Sequence, residues 1–216
     1  MKRTVFTVII MLILVIFLAS CGWKVEIVDP TKPVENEQEL STAVHQCMRG
    51  TENIDIWVNC AGGSAREKAR PLIEQSMDII NSVIDSNLKT CIIGCKVAAS
   101  QMVLQGHGSI VNISSSRDRM SQPQSESYTA AKGGIAALTH SLAVSFAGKV
   151  RVNSISPGWI DTAYTVYEGP DALQQPAGRV GNPMDIANMV LFLASSKAGF
   201  ITGENICIDG GQTKLM

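Results

Sequence analysis

The amino-acid sequence predicts an α/β fold in which a parallel sheet carries helices on both faces. Short apolar runs alternate along the chain with helix-like stretches of ten or more residues, which is the pattern of successive β-α-β units. Small and polar residues follow the apolar runs that end near residues 58, 113 and 155. Such sheets bind ligands at the carboxyl ends of their strands, so we expect the functional residues there. The length of 216 residues suits one such domain with a sizeable core.

The individual elements follow from local apolar patterns. Short apolar runs predict strands over residues 25–28, 54–58, 109–113, 150–155 and 205–208. Apolar residues at helical spacing, or Ala-rich stretches with small residues on one side, predict helices over residues 36–48, 79–104, 128–146 and 184–194. A polar loop is expected over residues 64–71, before the longest helix.

The composition and the overall charge exclude several classes of protein. The chain has 18 basic and 19 acidic side chains, a formal net charge of −1 and a pI near 6.3. This balance removes the electrostatic basis for a nucleic-acid binder. Intrinsic disorder, collagen-like repeats and low complexity are also excluded, because 45% of the residues are hydrophobic and no such repeat is present.

The N-terminal segment, residues 1–21, differs in character from the rest of the chain. Met1-Lys2-Arg3 is followed by the uncharged stretch Thr4–Ser20, most of which is strongly apolar. A basic start, an apolar stretch and a small-residue end are typical of a secretory signal. The end, Leu18-Ala19-Ser20-Cys21, resembles the lipobox of bacterial lipoproteins. The pattern predicts a membrane-directed segment over residues 1–21 and one domain over residues 22–216; the alternative is a buried strand and helix of that domain.

The cysteines do not form the pattern of a disulfide framework or of a metal site. Cys60 and Cys207 lie in strand-like runs, and Cys91 and Cys95 share one face of a predicted helix. No His or second Cys pair stands at ligand spacing, so no metal is expected and the thiols are predicted to be buried and structural. Such cysteine use favours a reducing compartment such as the cytoplasm. It conflicts with the export signal, and the localisation stays open.

Tyr128 and Lys132 are the first candidates for catalysis. They stand four residues apart, so they share one face of the helix predicted over residues 128–146. The pKa of a free Tyr is near 10, which is too high for efficient acid–base chemistry at neutral pH. A neighbouring cation lowers that pKa, which gives a physical route to a general acid and base. The spacing alone is also common on solvated helix faces.

Two further polar residues stand at informative positions. Ser115 follows the strand predicted over residues 109–113 and could donate a hydrogen bond to a substrate oxygen. The alternative is an ordinary loop or capping serine. Asn87 lies within the long predicted helix, where Asn is a poor helix former, so it could interrupt the helix and hold a water. The alternative is an exposed residue on an amphipathic helix.

The sequence resembles the short-chain dehydrogenase/reductase family. The resemblance extends from about Asp55 to Met216, and its motifs occur in the order and at the spacings of the family. The matching motifs are Asn59-Cys-Ala-Gly62, Asn87, Val111-Asn-Ile-Ser-Ser115, Tyr128-x-x-x-Lys132, Arg151-Val-Asn-Ser-Ile-Ser-Pro-Gly158 and Ile201-Thr-Gly203 through Asp209-Gly-Gly211. A set of ordered motifs is far more specific than any one of them.

The resemblance implies a Rossmann-like domain that interconverts a small-molecule carbonyl and a secondary alcohol with NAD or NADP. Tyr128 would be the acid and base, and Lys132 would lower the Tyr128 pKa and bind the nicotinamide ribose. Ser115 would orient the substrate oxygen, and Asn87 would hold a water that links Lys132 to solvent. The family assembles through its two long helices, so a homo-oligomer is implied through residues 79–104 and 128–146.

The resemblance also implies the residues that line the cofactor and the substrate. Those near the adenosine side of the cofactor would be Asn59, Ala61 and Gly62. Those flanking the nicotinamide would be Pro157, Gly158, Ile160 and Thr162. The stretch from Trp159 to Gly181, with Tyr164, Tyr167 and Pro170, would be a mobile substrate loop. The second Asn of the family motif is Cys60 here, which puts a strand-stabilising hydrogen bond in doubt.

The N-terminal part departs from the family. The family opens with a strand, a Thr-Gly-x-x-x-Gly-x-Gly turn and a helix, whose N-terminus and glycine backbone bind the pyrophosphate. Before Gly62 the chain contains only the glycines Gly22 and Gly50, so no such turn is visible and the first β-α-β unit looks incomplete. We therefore expect weak binding of NAD or NADP.

Asp29 can be interpreted in three ways. It resembles the acid that ends the third strand of the family and contacts adenine, which is the interpretation we favour. It also resembles the acid that ends the second strand and binds the ribose hydroxyls, or it is a surface residue that caps the next helix. On the favoured interpretation, residues 23–28 must pair elsewhere, or the apolar N-terminal segment must fill the gap in the sheet.

Three hypotheses account for this combination of features. The first is an active reductase with a diverged or shortened N-terminal part. The second is a membrane-attached remnant that keeps the catalytic residues without an effective cofactor site. The third is a wrong start or frameshift in the recorded sequence, which would explain the missing turn, the apolar start and the cysteine pattern together.

Overall fold

The computed structural model describes residues 4–8, 24–28, 37–47, 53–63, 70–162 and 175–215. The strands in this part of the chain are β1 (Thr4–Val8), β2 (Lys24–Val28), β3 (Ile56–Asn59), β4 (Gly108–Ile113), β5 (Val150–Pro157) and β6 (Asn205–Ile208). The helices are α1 (Glu37–Cys47), α2 (Met77–Ile84), α3 (Thr90–Gln105), α4 (Glu126–Ser145) and α5 (Pro183–Ala194). No helix in these ranges is long and apolar enough to cross a membrane.

The strands form one parallel sheet in the order β2-β1-β3-β4-β5-β6. The α/β class expected from the alternating pattern is confirmed, and the elements predicted from residue 25 onward lie within a few residues of their expected positions. The register places Asn59 at the end of β3 directly opposite Asn112 in β4. The carboxyl ends of β3, β4 and β5 consequently meet at one edge of the sheet.

Strand β1 comes from the apolar N-terminal stretch. It pairs on one side with β2 (Thr4 opposite Lys24) and on the other with β3 (Val5 opposite Ile56). The apolar segment therefore fills the gap between residues 24–28 and the rest of the sheet, as the second of the two sequence alternatives requires. Residues 9–23 and Asp29 lie outside the described residues. The membrane-directed role of residues 1–21 stays a prediction.

Two hydrophobic cores lie on opposite faces of the sheet. Successive strand residues point to opposite faces, so neighbours in sequence belong to different cores. Trp57 and Ile110 face the layer of α3 and α4, whereas Val58 and Val111 face α5, where they pack with residues such as Val190. All five side chains are fully buried. The helices thus cover both faces, and the open carboxyl edge is left for a site.

The ends of the helices follow recognisable local signals. Asn182 caps α5 by accepting the N–H groups of Met184 and Asp185, and the Asp185 carboxylate accepts the N–H of Asn182 in return. This reciprocal capping box satisfies donors that otherwise have no partner in the helix. Helix α3 ends at Gly106, which has a left-handed backbone (φ 80°) that glycine adopts without strain.

The long helix predicted over residues 79–104 is interrupted in its middle. Residues Asp85–Lys89 form a π-helical turn between α2 and α3. Asn87 Nδ2 donates to the Val83 carbonyl at 2.9 Å, and Thr90 Oγ1 donates to the Asp85 carbonyl at 2.9 Å. Side chains that bond to backbone acceptors compete with regular helical bonds. The interruption expected at Asn87 is confirmed, and such turns recur at functional sites.

The described cysteines match the prediction of structural thiols only in part. Cys91 and Cys95 are buried, and a hydrogen bond with Cys91 together with burial raises the pKa of the Cys95 thiol well above its ordinary value. An inert, protonated thiol is the consequence. Cys60 and Cys207 are only half-buried: Cys60 follows the carboxyl end of β3, and Cys207 lies in β6, the outermost strand on its side of the described sheet. The side chains of Cys21 and Cys47 lie outside the described residues.

Candidate active site

The predicted site residues gather at the carboxyl edge of the sheet. The turn Asn59–Gly63 follows β3, residues 114–118 follow β4, and residues 158–162 follow β5. The first half of α4 lies over this edge, and the π-helical turn packs against it: a Cβ on Gly134 would come 2.8 Å from the Leu88 side chain. Residues distant in sequence therefore surround one small region.

Tyr128 and Lys132 form a stacked pair on α4. The Lys132 ammonium lies 5.7 Å from the centre of the Tyr128 ring and donates a hydrogen bond to the Ile113 carbonyl at 2.9 Å. Lys132 is only 4% exposed, whereas Tyr128 is half-buried. A cation beside the phenol favours the phenolate over the neutral form. The expected pair is thus present, with its cation desolvated and its phenol open to the site.

The environment of Lys132 acts on its charge in two directions. Burial lowers the pKa of Lys132 from its ordinary value of 10.5. Cys91, Cys60 and Asp118, in decreasing order of effect, raise that pKa, and Asp118 is the carboxylate among these groups. Burial outweighs them, so the pKa of Lys132 stays below its ordinary value. In such a poorly solvated setting, a charge on Lys132 acts strongly on Tyr128.

Ser115 has a structural role that leaves its proton for a second partner. It is half-buried, and its Oγ accepts the N–H of Arg117 at 3.2 Å at the start of the 3-10 turn Ser116–Asp118. This is the capping role that the sequence left as an alternative. A hydroxyl that accepts one hydrogen bond can still donate its proton. Ser115 stands two residues after Ile113, whose carbonyl binds Lys132.

Asn87 fastens the turn after β3 and keeps one acceptor without a partner. It is fully buried, and its Nδ2 donates to Gly63 O at 3.2 Å as well as to Val83 O. Its Oδ1 is buried and has no hydrogen-bond partner among the described protein atoms. Buried acceptors of this kind are commonly satisfied by ordered water. Asn87 is therefore a buried site residue and not an exposed one.

The side chain of Asn59 points into the fold and not toward a cofactor. Its Nδ2 donates to Asn112 Oδ1 at 2.9 Å and to Cys95 Sγ at 3.2 Å, and its Oδ1 accepts from Trp57 Nε1 at 2.7 Å. Every polar atom of this side chain is used inside the protein, so the closeness of residue 59 to the cofactor, which the resemblance implies, concerns its backbone and stays a prediction. This Asn59–Asn112 bond links β3 to β4, although Cys60 replaces the family's second Asn.

Glycines allow close approach at two points of the edge. Gly62, which follows Ala61, has φ +117°, and a Cβ there would lie 2.3 Å from Asn87 Oδ1. Gly158 donates its N–H to Ile208 O at 2.9 Å, and a Cβ there would lie 2.7 Å from the Asp209 backbone. Both positions therefore exclude a side chain. Pro157 ends β5 immediately before Gly158.

The segment after β5 begins and ends at a small bridge. Ile160 pairs with Gly181, the Asp161 N–H donates to Gly181 O at 2.9 Å, and Gly181 N–H donates to Trp159 O at 3.0 Å. Thr162 is the last described residue before the gap. Tyr164, Tyr167 and Pro170 of the predicted substrate loop lie outside the described residues. Both ends of this loop start from the site edge.

Asp118 is a buried acidic residue beside the candidate site that no sequence pattern reveals. The side chain of Asp118 is 2% exposed, and its carboxylate is bonded to Ser114, Ser156 and Asn205. In the sequence it stands between Arg117 and Arg119, which looks like a solvated charge cluster. No spacing rule connects it with its partners, which come from the end of β4, from β5 and from β6.

The described residues fit the nicotinamide end of a dinucleotide. An ammonium has three donors, and the Ile113 carbonyl takes one from Lys132, so two N–H groups remain that would bind ribose hydroxyls. Asn87 Oδ1 is a further buried acceptor of the candidate site. The region after β1, where a pyrophosphate turn would stand, lies outside the described residues. Within the described ranges, no group of three or more His, Cys, Asp or Glu residues could hold a metal ion.

The parallel α/β sheet and the buried Lys beside a Tyr at its carboxyl edge agree with the class that the sequence resembles, oxidoreductases that use a nicotinamide cofactor. Comparison with known proteins specifies the class further. A family model described as enoyl-(acyl carrier protein) reductase matches residues 27–213. The chain belongs to the short-chain dehydrogenase/reductase family and is an oxidoreductase of that family.

Similar proteins support this membership over most of the chain. An uncharacterized oxidoreductase of Thermotoga maritima is 41% identical over 194 residues, which cover 85% of this chain and 75% of the relative. Cis-4-hydroxycyclohexanecarboxylate dehydrogenase of Sinomonas cyclohexanicum is 34% identical over 84% of this chain and 75% of its own. An apo SCOR enzyme from Clostridium thermocellum superposes with a TM-score of 0.83 at 33% identity, covering 100% of this chain and 94% of that one.

Proposed function

We propose that this chain interconverts a ketone and a secondary alcohol with NAD or NADP, and that Tyr128 is its acid and base. The observation that carries the proposal is the desolvated Lys132 ammonium, 5.7 Å from the centre of the Tyr128 ring. A buried cation beside a half-buried phenol has no evident structural purpose, since burial of a charge is costly. It is what acid–base chemistry on a carbonyl oxygen requires.

Each residue then has a defined step. The nicotinamide, when bound, supplies a hydride to the carbonyl carbon or accepts one from the alcohol carbon. Tyr128 donates its proton to the substrate oxygen in reduction and takes it back in oxidation. Ser115 Oγ holds that oxygen by a hydrogen bond, and Lys132 favours the phenolate that remains. The Ile113 carbonyl holds the Lys132 ammonium in place.

The substrate class is proposed from the reaction that the relatives share. One relative is named cis-4-hydroxycyclohexanecarboxylate dehydrogenase, and another, 33% identical over 82% of this chain and 74% of its own, is the 3-oxoacyl-[acyl-carrier-protein] reductase of Thermotoga maritima. The two names describe different substrates, but both reactions act on a secondary alcohol or on the corresponding ketone. Hydroxycyclohexane carboxylates and 3-oxoacyl thioesters are therefore the first substrates to assay.

Tyr128→Phe tests the proposed function directly. The substitution removes one hydroxyl and keeps the ring, so folding and cofactor binding should be retained. We expect the turnover number to fall by about 10² to 10⁴, which is the usual contribution of a general acid or base. Ser145→Ala, which removes an exposed hydroxyl near the end of the same helix, is the matched control and should keep full turnover. Full turnover by Tyr128→Phe would overturn the assignment.

A homo-oligomer through α3 and α4 is a further proposal. These helices leave Ile92, Leu104 and Val144 substantially exposed, with Leu104 at 84% and Val144 at 78%. The alternative is that the apolar faces serve only packing on the sheet, as the buried side of each helix does. Sedimentation of the purified chain tests it: a monomer at micromolar concentration would refute the proposal.

Two roles for residues 1–21 compete. Export or membrane attachment is supported by the basic start, the apolar stretch and the Leu18-Ala-Ser-Cys21 end. Retention of the segment within the folded domain is favoured by the pairing of β1 between β2 and β3. Retention also agrees with a cytoplasmic oxidoreductase, because an exported form would meet little NAD(P)H.

A further inference from the structure

Asp118 is the centre of a buried polar cluster just behind the site edge. Its Oδ2 accepts hydrogen bonds from Ser114 Oγ at 3.1 Å, Ser156 Oγ at 2.5 Å and Asn205 Nδ2 at 2.6 Å. Ser156 Oγ also lies 2.7 Å from Asn205 Oδ1. The three partners come from the end of β4, from β5 and from the start of β6. One carboxylate thus connects three neighbouring strands where the site is built.

The cluster is connected to Lys132 through the backbone. Ser114 Oγ lies 2.9 Å from the carbonyl oxygen of Lys132 and 3.1 Å from Asp118 Oδ2, so its single proton is shared between these two acceptors. The residue before it, Ile113, provides the carbonyl that accepts the Lys132 ammonium. The Ser114 N–H donates to Ile155 O at 2.7 Å and so fixes this segment on β5. The backbone carbonyl and the side-chain ammonium of Lys132 are therefore both bonded to the Ile113–Ser114 segment, which Asp118 anchors.

The charges around Lys132 give Asp118 a second effect. The titratable groups facing Lys132 are Tyr128 on its own helix, Cys91 on α3, Cys60 after β3 and Asp118 after β4. Cys91 is a buried thiol, and Asp118 is the carboxylate of this set. Arg119 also approaches Asp118, with its Nε 3.7 Å from Oδ1, but that guanidinium is 36% exposed and more screened.

We propose that Asp118 is a positioning residue of the catalytic pair, which anchors the Ile113–Ser114 segment and supplies the counter-charge that keeps the buried Lys132 in its ammonium form. Asp118 does not touch substrate or cofactor, because its side chain is enclosed by its protein partners. The inference rests on the proposed roles of Tyr128 and Lys132 for its catalytic consequence. Its electrostatic part concerns the folded chain alone.

A double-mutant cycle on stability tests the electrostatic part without substrate or cofactor. Asp118→Asn is measured in the wild-type chain and in Lys132→Met, by thermal unfolding followed by circular dichroism. The destabilisation that comes from weaker hydrogen bonds at residue 118 is the same in both backgrounds, so it cancels when the two effects on the unfolding temperature are compared. We expect Asp118→Asn to lower the unfolding temperature by about 2–4 °C more when Lys132 is present. An equal loss in both backgrounds would overturn the proposal. If Asp118→Asn fails to fold, Asp118→Ser replaces it in the same cycle.

Two controls separate charge from hydrogen bonding. Ser156→Ala removes one bond to the carboxylate and keeps the charge, so it should destabilise both backgrounds equally. Glu204→Gln removes a negative charge from an exposed residue near β6 and should change neither background. If Glu204→Gln gave the same coupling as Asp118→Asn, the effect would belong to net charge and the proposal would be wrong.

The pH profile of carbonyl reduction tests the catalytic consequence. Reduction needs a proton on both Tyr128 and Lys132, and the activity falls when the pair loses its first proton. Without the Asp118 charge, that loss becomes easier. With acetoacetyl thioester and NADPH as probes, we expect the alkaline limb of kcat/KM to move to lower pH by about 0.5 to 1 unit in Asp118→Asn. An alkaline limb that does not move would refute the catalytic part of the proposal. Complete absence of turnover in the wild type would contradict the proposed function. In that case the double-mutant cycle on stability still decides the electrostatic part.

Discussion

Lys132, the proposed partner of Tyr128, is a buried charge that opposes the stability of its own fold. Lys132 is 4% exposed, and within the described part of the chain its ammonium donates a hydrogen bond to Ile113 O. Burying a charge is unfavourable, even with a carboxylate in the neighbourhood. The same desolvation strengthens its field at the Tyr128 phenol. In the proposed mechanism, Lys132 therefore contributes to chemistry at a cost to folding.

Replacing Lys132 by Met should stabilise the protein, and more at neutral than at alkaline pH. Burial lowers the folded-state pKa of Lys132 below the ordinary 10.5 of the unfolded chain. Below the folded-state pKa, Lys132 is charged in both the folded and the unfolded chain, and folding carries the full free-energy cost of burying the charge. As the pH rises toward 10.5, Lys132 is neutral in the folded state while the unfolded chain still binds the proton. The cost of burying the charge therefore declines. Urea unfolding should show a gain of about 1–4 kcal/mol for Lys132→Met near pH 7, and a smaller gain near pH 10.

The matched control for this prediction is Lys96→Met on α3. Lys96 is exposed and pairs with Glu37 across the surface, so its removal should change stability by less than about 1 kcal/mol at either pH. A Lys132→Met variant that is less stable than the wild type at neutral pH would contradict the assignment of an unfavourable buried charge. A gain that is independent of pH would contradict the lowered pKa.

At the scale of elements, the π-helical turn and the turn after β3 hold each other in place. Asn87 lies at the centre of the π-helical turn and bonds to Gly63 O, and its Oδ1 approaches Gly62 so closely that no Cβ fits there. A glycine is also required by the φ of +117° at residue 62. The position of Asn87 in the site therefore depends on a glycine that stands far earlier in the sequence.

Gly62→Ala should displace Asn87 and destabilise the protein, whereas Gly63→Ala should not. At residue 62 the Cβ would meet Asn87 Oδ1 at 2.3 Å and the backbone would be strained; at residue 63 nothing lies within 4 Å and the φ is ordinary. We expect a loss of about 2–4 kcal/mol for Gly62→Ala and less than about 0.5 kcal/mol for Gly63→Ala, measured by urea unfolding. Similar losses for both variants would contradict the Asn87 contact.

The sequence was informative about elements wherever a local pattern determines them. The apolar runs placed β3 to β6 and the helices within a few residues, and an Asn within a helical pattern predicted the interruption at residue 87. The kind of interruption was not predictable, because it depends on two side chains that bond to carbonyls of the preceding turn. The inward orientation of Asn59 was missed for a similar reason: its partners Asn112 and Cys95 stand on other elements.

At the scale of the whole molecule, contacts between distant segments set the limits of prediction. The pairing of β1 with β3 joins Val5 to Ile56, and an apolar stretch after a basic start has the same composition as an export signal. The Asp118 cluster joins residues 114, 118, 156 and 205. Neither arrangement leaves a periodic or local signal. The motif residues were named from the resemblance to the family, whose motifs stand in a fixed order, and their roles stay predictions.

Titration with NADH and NADPH tests whether the N-terminal part supports the site. The chain before Gly62 contains only Gly22 and Gly50, so the glycine turn that lets backbone N–H groups approach a pyrophosphate is not visible. Each charge-assisted hydrogen bond lost there is worth about 1.5–3 kcal/mol. We expect dissociation constants weaker than micromolar for both cofactors, measured by fluorescence of the reduced nicotinamide. Micromolar affinity for either would show that the chain binds the pyrophosphate by other means. Lys132→Met is the control for binding at the nicotinamide end.

The fate of the N-terminal segment decides where the protein works. If residues 1–21 direct export as a lipoprotein, Cys21 becomes the lipidated first residue, and β1 is removed from the sheet. Expression in a bacterial host with labelled palmitate should then give a labelled membrane protein that starts at Cys21, and Cys21→Ser should abolish the label. Cys60→Ser, which changes a half-buried thiol of the folded domain, is the control and should leave the label unchanged. A soluble, unlabelled protein that still begins at Met1 would refute export. The apolar residues would then remain in the domain, and Thr4–Val8 would be available for the pairing between β2 and β3.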